Sequence, residues 1–146
     1  MKITEIVKQR ETVEEQLLEL WEASVRATHH FLGEEEILQM KHDIPELLNE
    51  VDHLVVAIEE DDPVAFLGVN GKKLEMLFVH PDHFRKRIGK RLMKYAKDWY
   101  LIDQLCIPEA NVDAKEFYRA MGFQVYKKSK FDENGNENPI LHMEAY

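Results

Sequence analysis

The stretch LEMLFVHPDHFRKRIGKRLMKYAKDW, Leu74 to Trp99, decides how this chain is read. Leu74 to Val79 is an apolar run broken only by Glu75, the pattern of a mostly buried strand. His80 to Phe84, with Pro81 and Asp82, is a turn. From Ile88 the apolar residues fall at 88, 92, 95, 96 and 99, one face of a helix. Arg85, Lys86, Arg87, Lys90 and Arg91 fill five of the seven positions expected to open that helix. A helix start exposes unpaired N–H groups and partial positive charge, so acids are favoured there and bases are not. Bases at that end make sense where an anion is bound, because free amides ringed by Arg and Lys form a phosphate seat. The competing reading is a solvated basic patch that binds nothing. Charge placement favours the phosphate.

The remainder of the chain is acidic. Its 146 residues hold 19 Lys and Arg against 28 Asp and Glu, a net −9, and taking away those five bases leaves −14 elsewhere. A local basic spot in an acidic protein argues against nucleic-acid binding and for cationic small molecules or basic peptides as partners. The length suits a single domain, residues 1–146, with a complete core. Cys106 is the only cysteine, so no internal disulfide forms and a reducing compartment is expected. MKITEIVKQRE lacks the apolar core of a signal peptide, and no run has the length of a membrane span. The expectation is a soluble, cytoplasmic protein with no membrane partner.

Upstream of the central stretch, residues 2–8 allow a short strand. Thr12 and Glu15 fit a capping box opening a helix that runs to about Leu32, with Gly33 as its stop. Ser24 and Thr28 lie four apart on its apolar stripe; they either line a pocket or bond back to the carbonyls four residues earlier. The pairs His29–His30 and His80/His83 lack a third ligand, and no metal is expected. A second helix spans about Glu34 to Glu50, where Pro45 should kink or divide it. Strands at His53–Glu59 and Val64–Val69 follow, then an Asn70-Gly71 hairpin turn into the central strand. Downstream come a strand at Gln104–Ile107, a helix from Asn111 to Gly122, and two last strands, Phe123–Lys130 and Ile140–Tyr146. The latter two flank an acidic loop, Asp132 to Asn138.

The order β-α-α-β-β-β-α-β-α-β-β, with a phosphate-type turn after the fourth strand, resembles the GNAT N-acetyltransferases. Asn111-Val-Asp-Ala114-Lys-Glu-Phe117-Tyr118-Arg-Ala-Met-Gly122-Phe123 matches a later motif of that family, Asn-x-x-Ala-x-x-Phe-Tyr-x-x-x-Gly-Phe, at every fixed position. Leu20-Trp21-Glu-Ala-Ser24-Val25-Arg-Ala27-Thr28-His29-His-Phe31-Leu32 looks like the first helix of its small bacterial YjaB-like branch. The central turn departs from the pattern: where the family has Arg or Gln, then Gly, then Gly or Ala, this chain has Phe84, Arg87 and Gly89. Arg87 either offers its N–H with the side chain outward or obstructs the seat.

The resemblance implies an α/β (α+β) fold: a central, mostly antiparallel mixed sheet of about seven strands, flanked by four helices and splayed between strands 4 and 5. It implies acetyl-CoA as cosubstrate and acetyl transfer to a primary amine of a small molecule or peptide by direct attack. Cofactor contacts would come from Leu77, Phe78 and Val79, from Arg85, Lys86, Arg87, Ile88, Gly89 and Lys90, and from Asn111, Phe117 and Tyr118. Tyr118 would be the general acid that protonates the departing thiolate. Glu75 either takes the amine proton, holds a cationic substrate, or faces solvent. Trp21, Thr28, His29 and Phe31 would line the acceptor pocket, and the state would be monomer or homodimer. The reading from another class is a non-catalytic acyl-CoA binder or sensor that keeps the fold.

Overall fold

In β-strands alternate side chains face opposite ways, and two of the strands are apolar without interruption, so both faces of their sheet are covered. In the computed structural model, which describes residues 1–146, the strands are β1 (Lys2–Glu5), β2 (His53–Glu59), β3 (Asp62–Asn70), β4 (Lys73–Val79), β5 (Gln104–Pro108), β6 (Phe123–Ser129) and β7 (Ile140–Ala145). The helices are α1 (Glu11–Thr28), α2 (Glu34–Glu50), α3 (Ile88–Tyr100) and α4 (Val112–Ala120), with a 3-10 turn at Pro81–His83. The seven strands form one sheet in the order β1-β2-β3-β4-β5-β7-β6, in which β4 and β5 alone run parallel. Leu54, Val56, Phe66 and Met76 pack with α1 and α2 on one face. Val55, Ala65, Leu67, Leu74 and Leu105 pack with α3 and α4 on the other. No helix is long and apolar enough to cross a membrane.

Helix boundaries differ from the sequence reading at α1. It begins at Glu11, and Thr12 is not its N-cap; the Thr12 hydroxyl donates to the Gln9 carbonyl at 2.7 Å. The chain enters the helix at Arg10, whose guanidinium donates to the carbonyls of Ile6, Leu48, Asn49, Val51 and Asp52 at 2.7–3.2 Å. One cation thereby answers orphan carbonyls at the end of α2 and ties it to β1. At its far end α1 stops at Thr28, not Leu32, because His29 leaves helical geometry (φ −98°, ψ 60°). Gly33 is the N-cap of α2, its N–H accepted by Glu36 Oε1 at 3.3 Å. Pro45 does not divide α2, which runs unbroken with Ile44 and Leu48 anchored in the core.

The hairpin between β3 and β4 is also shifted by one residue. Asn70 pairs with Lys73, so the two-residue loop is Gly71-Lys72. Asn70 is held at the strand end because its Oδ1 accepts the Asp52 N–H at 2.9 Å, while Asp52 Oδ2 accepts the Gly71 N–H at 2.8 Å.

Candidate active site

The site begins with a strand forced away from its neighbour. Gly68 pairs with Met76 and Val69 with Leu74, so Glu75 is an extra residue, a bulge that bends β4. Gly68 permits the close approach: a Cβ there would lie 2.7 Å from Met76 Cε and 3.2 Å from Val51. β4 pairs with β5 only at Lys73↔Gln104 and Leu74↔Leu105. Beyond that point the two strands part like a fork. The β5-facing edge of Glu75–Val79 has no strand partner, although Leu77, Phe78 and Val79 are half-buried. Unpaired strand edges of this kind accept an extended ligand through main-chain hydrogen bonds.

The cationic segment lies at the open end of the fork, and its layout corrects the sequence reading. The helix starts at Ile88, so Arg85, Lys86 and Arg87 precede it and only Lys90 and Arg91 sit in its first turn. Arg85 (φ 66°) and Arg87 (φ 61°) are left-handed, which a continuing helix does not permit. Such conformations are uncommon outside glycine and cost about 1–2 kcal/mol per residue. Left-handed residues beside right-handed ones curl successive N–H groups into an anion-binding concavity. All five bases are exposed and none takes part in an ion pair. Ile88 is buried and anchors the turn. Gly89 seats it: a Cβ at this position would meet Phe117 Cζ at 3.5 Å and Val79 Cγ2 at 3.8 Å. The end of β4, the start of α3 and the face of α4 therefore meet at one point.

α4 brings the later motif to that point. Asn111 is its N-cap, with Oδ1 accepting the Ala114 N–H at 3.1 Å. At its other end Gly122, with φ 96°, takes the left-handed turn, and Lys97 of α3 donates to the Met121 carbonyl at 2.6 Å. Tyr118 is 7% exposed and lies edge-on to the rings of Phe117 and Phe123, with centroids 5.1 and 6.4 Å away. Burial raises its phenol above the ordinary value of 10, so it stays protonated at any physiological pH. Its hydroxyl has no hydrogen-bond partner within the chain, burial being the one influence on its titration. A neutral phenol free to donate is the requirement for a general acid.

The acceptor candidates gather at the end of α1, on the opposite wall. The Thr28 hydroxyl donates to the Ser24 carbonyl at 2.8 Å, one of the two arrangements expected for it. His29 packs against Phe31 and Phe78 with ring centroids 5.3 and 6.4 Å away, and its Nε2 lies 3.5 Å from Asn111 Nδ2. Burial, then the charge of His30, lowers the His29 pKa below 6.5. Trp21 is fully buried behind these residues, edge-on to Phe78, with an indole N–H that finds no acceptor. Glu75 faces a cleft of about 240 Å³ at the base of the fork, shared with Glu50 and Glu133, and pairs loosely with Lys73 at 3.8 Å. Glu50 and Glu133 escaped the sequence reading, because only tertiary folding brings the end of α2 and the β6–β7 loop to Glu75.

A family model described as an acetyltransferase (GNAT) domain matches residues 50–125, the span from the end of α2 into β6. The peptidyl-lysine N-acetyltransferase YjaB of Salmonella typhimurium is 32% identical over 129 residues, covering 88% of this chain and 89% of its own. The solution structure of apo-form YjaB from Escherichia coli matches with a TM-score of 0.86 at 31% identity, over 99% of this chain and 98% of that one. The PaiA N-acetyltransferase of Thermoplasma acidophilum, solved in complex with coenzyme A, matches with a TM-score of 0.76 over 100% of both chains; at 23% identity that likeness is one of fold. With the fork, the cationic turn and the Asn111–Phe123 motif in the arrangement described, the chain belongs to the GNAT family and is an acetyl-CoA-dependent N-acetyltransferase.

Proposed function

We propose that this enzyme transfers the acetyl group of acetyl-CoA to the primary amine of a peptide lysine, by direct attack, within the β4–β5 fork. The observation that carries the reading is the meeting of Val79, Gly89 and Phe117, which sets the cationic turn between the open edge of β4 and the helix bearing Tyr118. Arg85, Lys86, Arg87 and Lys90 answer the charge of the cosubstrate's phosphates, assisted by the amides of Ile88 and Gly89. Backbone groups of Leu77, Phe78 and Val79 receive the pantetheine arm as they would a strand. One of those amides polarises the thioester carbonyl, a contribution of ~10²-fold or more in rate. Asn111 and Phe117 flank the arm, and Tyr118 protonates the departing sulfur.

Glu75 serves as the carboxylate that holds the cationic acceptor, with Glu50 and Glu133 beside it and Leu47 and Met76 as apolar walls for an aliphatic stem. Thr28, His29 and Phe31 line the approach, backed by Trp21. The peptidyl-lysine activity in the name of the Salmonella relative supports this acceptor class.

Release of free thiol from acetyl-CoA in the presence of lysine peptides tests the reading. Tyr118→Phe is expected to lower kcat by ~10²-fold or more while calorimetric acetyl-CoA affinity stays nearly unchanged. Full turnover in that variant removes the phenol from the mechanism. Turnover with small amines but no lysine peptide replaces the acceptor class.

A further inference from the structure

Acetyl transfer needs a base for the proton that the attacking amine gives up, and hydrogen bonding at the end of α1 identifies one. Thr28 has a single hydroxyl proton, and its Oγ1 lies 2.8 Å from the Ser24 carbonyl oxygen, which can only accept. That proton is therefore committed to Ser24. The same Oγ1 lies 2.7 Å from His29 Nδ1, where it can now only accept, so Nδ1 carries the imidazole proton. On the other side, Asn111 Oδ1 accepts the Ala114 N–H at 3.1 Å, which turns the amide nitrogen toward His29 Nε2 at 3.5 Å. A donor facing Nε2 fits a lone pair on that atom, and 3.5 Å is too long to tie the lone pair up.

We propose that His29 Nε2 is the general base of the reaction, with Thr28 as the residue that positions its lone pair. This assignment rests on the acetyl-transfer reading above. His29 is the ring that bridges the two walls of the fork, touching Phe78 of β4 on one side and Asn111 of α4 on the other. Of the groups against it, Phe78, Phe31, Thr28 and Asn111 are uncharged, and His30 beside it is the titratable neighbour that acts on it. Both influences keep the ring neutral near pH 7, as a base requires. The acceptor's ammonium first gives one proton to solvent and becomes the neutral amine; as that nitrogen bonds to the carbonyl carbon, the second proton it sheds passes to Nε2. The electron pair of the breaking C–S bond leaves with sulfur, which takes the Tyr118 proton. Solvent then removes the proton from His29 and restores the phenol.

Long-range ¹H–¹⁵N spectra of the unaltered protein read the tautomer directly, with no substrate present. Nδ1–H with an unprotonated Nε2 is expected, and the opposite tautomer overturns the assignment. In thiol-release assays with acetyl-CoA and a lysine peptide, kcat of the unaltered enzyme should fall as pH drops through a value below 6.5. His29→Gln is expected to abolish that acid limb and lower kcat by ~10²-fold or more, with acetyl-CoA affinity preserved. Thr28→Val should lower kcat by about tenfold and leave part of the limb. Glu75→Gln should raise KM for the peptide and keep the limb. An intact limb and kcat in His29→Gln, or loss of the limb in Glu75→Gln instead, overturns the role of His29 while acetyl transfer stands. Absence of thiol release by the unaltered protein with any amine removes both readings.

Discussion

α2 and α3 meet the same electrostatic problem with opposite sequences. Each begins with N–H groups that have no partner within the helix and with the positive end of a dipole. α2 opens on Glu34, Glu35 and Glu36; Glu36 accepts the Gly33 N–H, and Glu34 accepts from both terminal nitrogens of Arg26 at 2.7 and 2.8 Å. Its start is answered from within the chain. α3 has no acid in its first turn, no side-chain cap from Arg87, and bases before and after its first residue. Nothing in the chain complements it, and two residues of its approach hold left-handed backbone. A helix end satisfied internally serves the fold alone. One left open and reinforced with like charge costs stability, the arrangement expected where an anion is to be bound.

The sharpest way to break this contrast is to exchange the charges. The triple change Arg85→Glu, Lys86→Glu, Lys90→Glu should weaken acetyl-CoA binding by ~10²-fold or more in calorimetry, each reversal removing an attraction and adding a repulsion. Neutralising Glu34 and Glu36 to Gln should leave the affinity unchanged. Equal losses from the two helices would erase the distinction.

A smaller effect separates strain from charge within the open turn. Arg87→Gly frees the left-handed position and should raise unfolding free energy by about 1 kcal/mol in denaturant melts, whereas Arg87→Ala should not. The Gly variant also loses one cation, so its acetyl-CoA affinity should fall even as stability rises. A gain in both would mean that the arginine side chain obstructs the seat.

The weakest effect belongs to the satisfied helix. Glu34 is held below its ordinary 4.5 by the Arg26 hydrogen bonds, and Glu22 by those from Lys41 and then Arg26. A depressed carboxylate stabilises the fold above its unfolded value, and the contribution is lost as pH falls through the folded value. Thermal melts should therefore show a shallow loss of Tm below pH 4.5 that Arg26→Gln reduces. The pair is exposed, so the change should be slight.

What the sequence disclosed follows the same division between local and distant physics. The bounds of α2 and β2, the Asn111 cap and the Gly122 stop are local signals, and the structure has them where periodicity and capping chemistry put them. The seven-strand sheet and its parting between strands 4 and 5 came from resemblance, since no spacing along the chain encodes which strands fail to pair. The apolar pattern overruns α1 by four residues, because Phe31 and Leu32 continue a periodicity that the backbone at His29 has already left. Arg10 illustrates the limit most plainly. An arginine beside the helix start looks like surface, and its five carbonyl partners lie on segments that only the fold assembles. The tautomer of His29 is illegible for a related reason: it depends on where one hydroxyl proton of Thr28 is spent.

The two ladder pairs at the base of the fork, with the amides of Asp103 and Gln104 donating to the Lys72 carbonyl at 2.9 and 3.3 Å, have a mechanical meaning. They are the spine of a book whose leaves are the sheet from β1 to β4 and the sheet from β5 to β6. A cosubstrate seated between the pages, as proposed above, would bridge the two leaves. Occupancy should therefore slow amide exchange in both leaves at once, far from any atom the nucleotide touches.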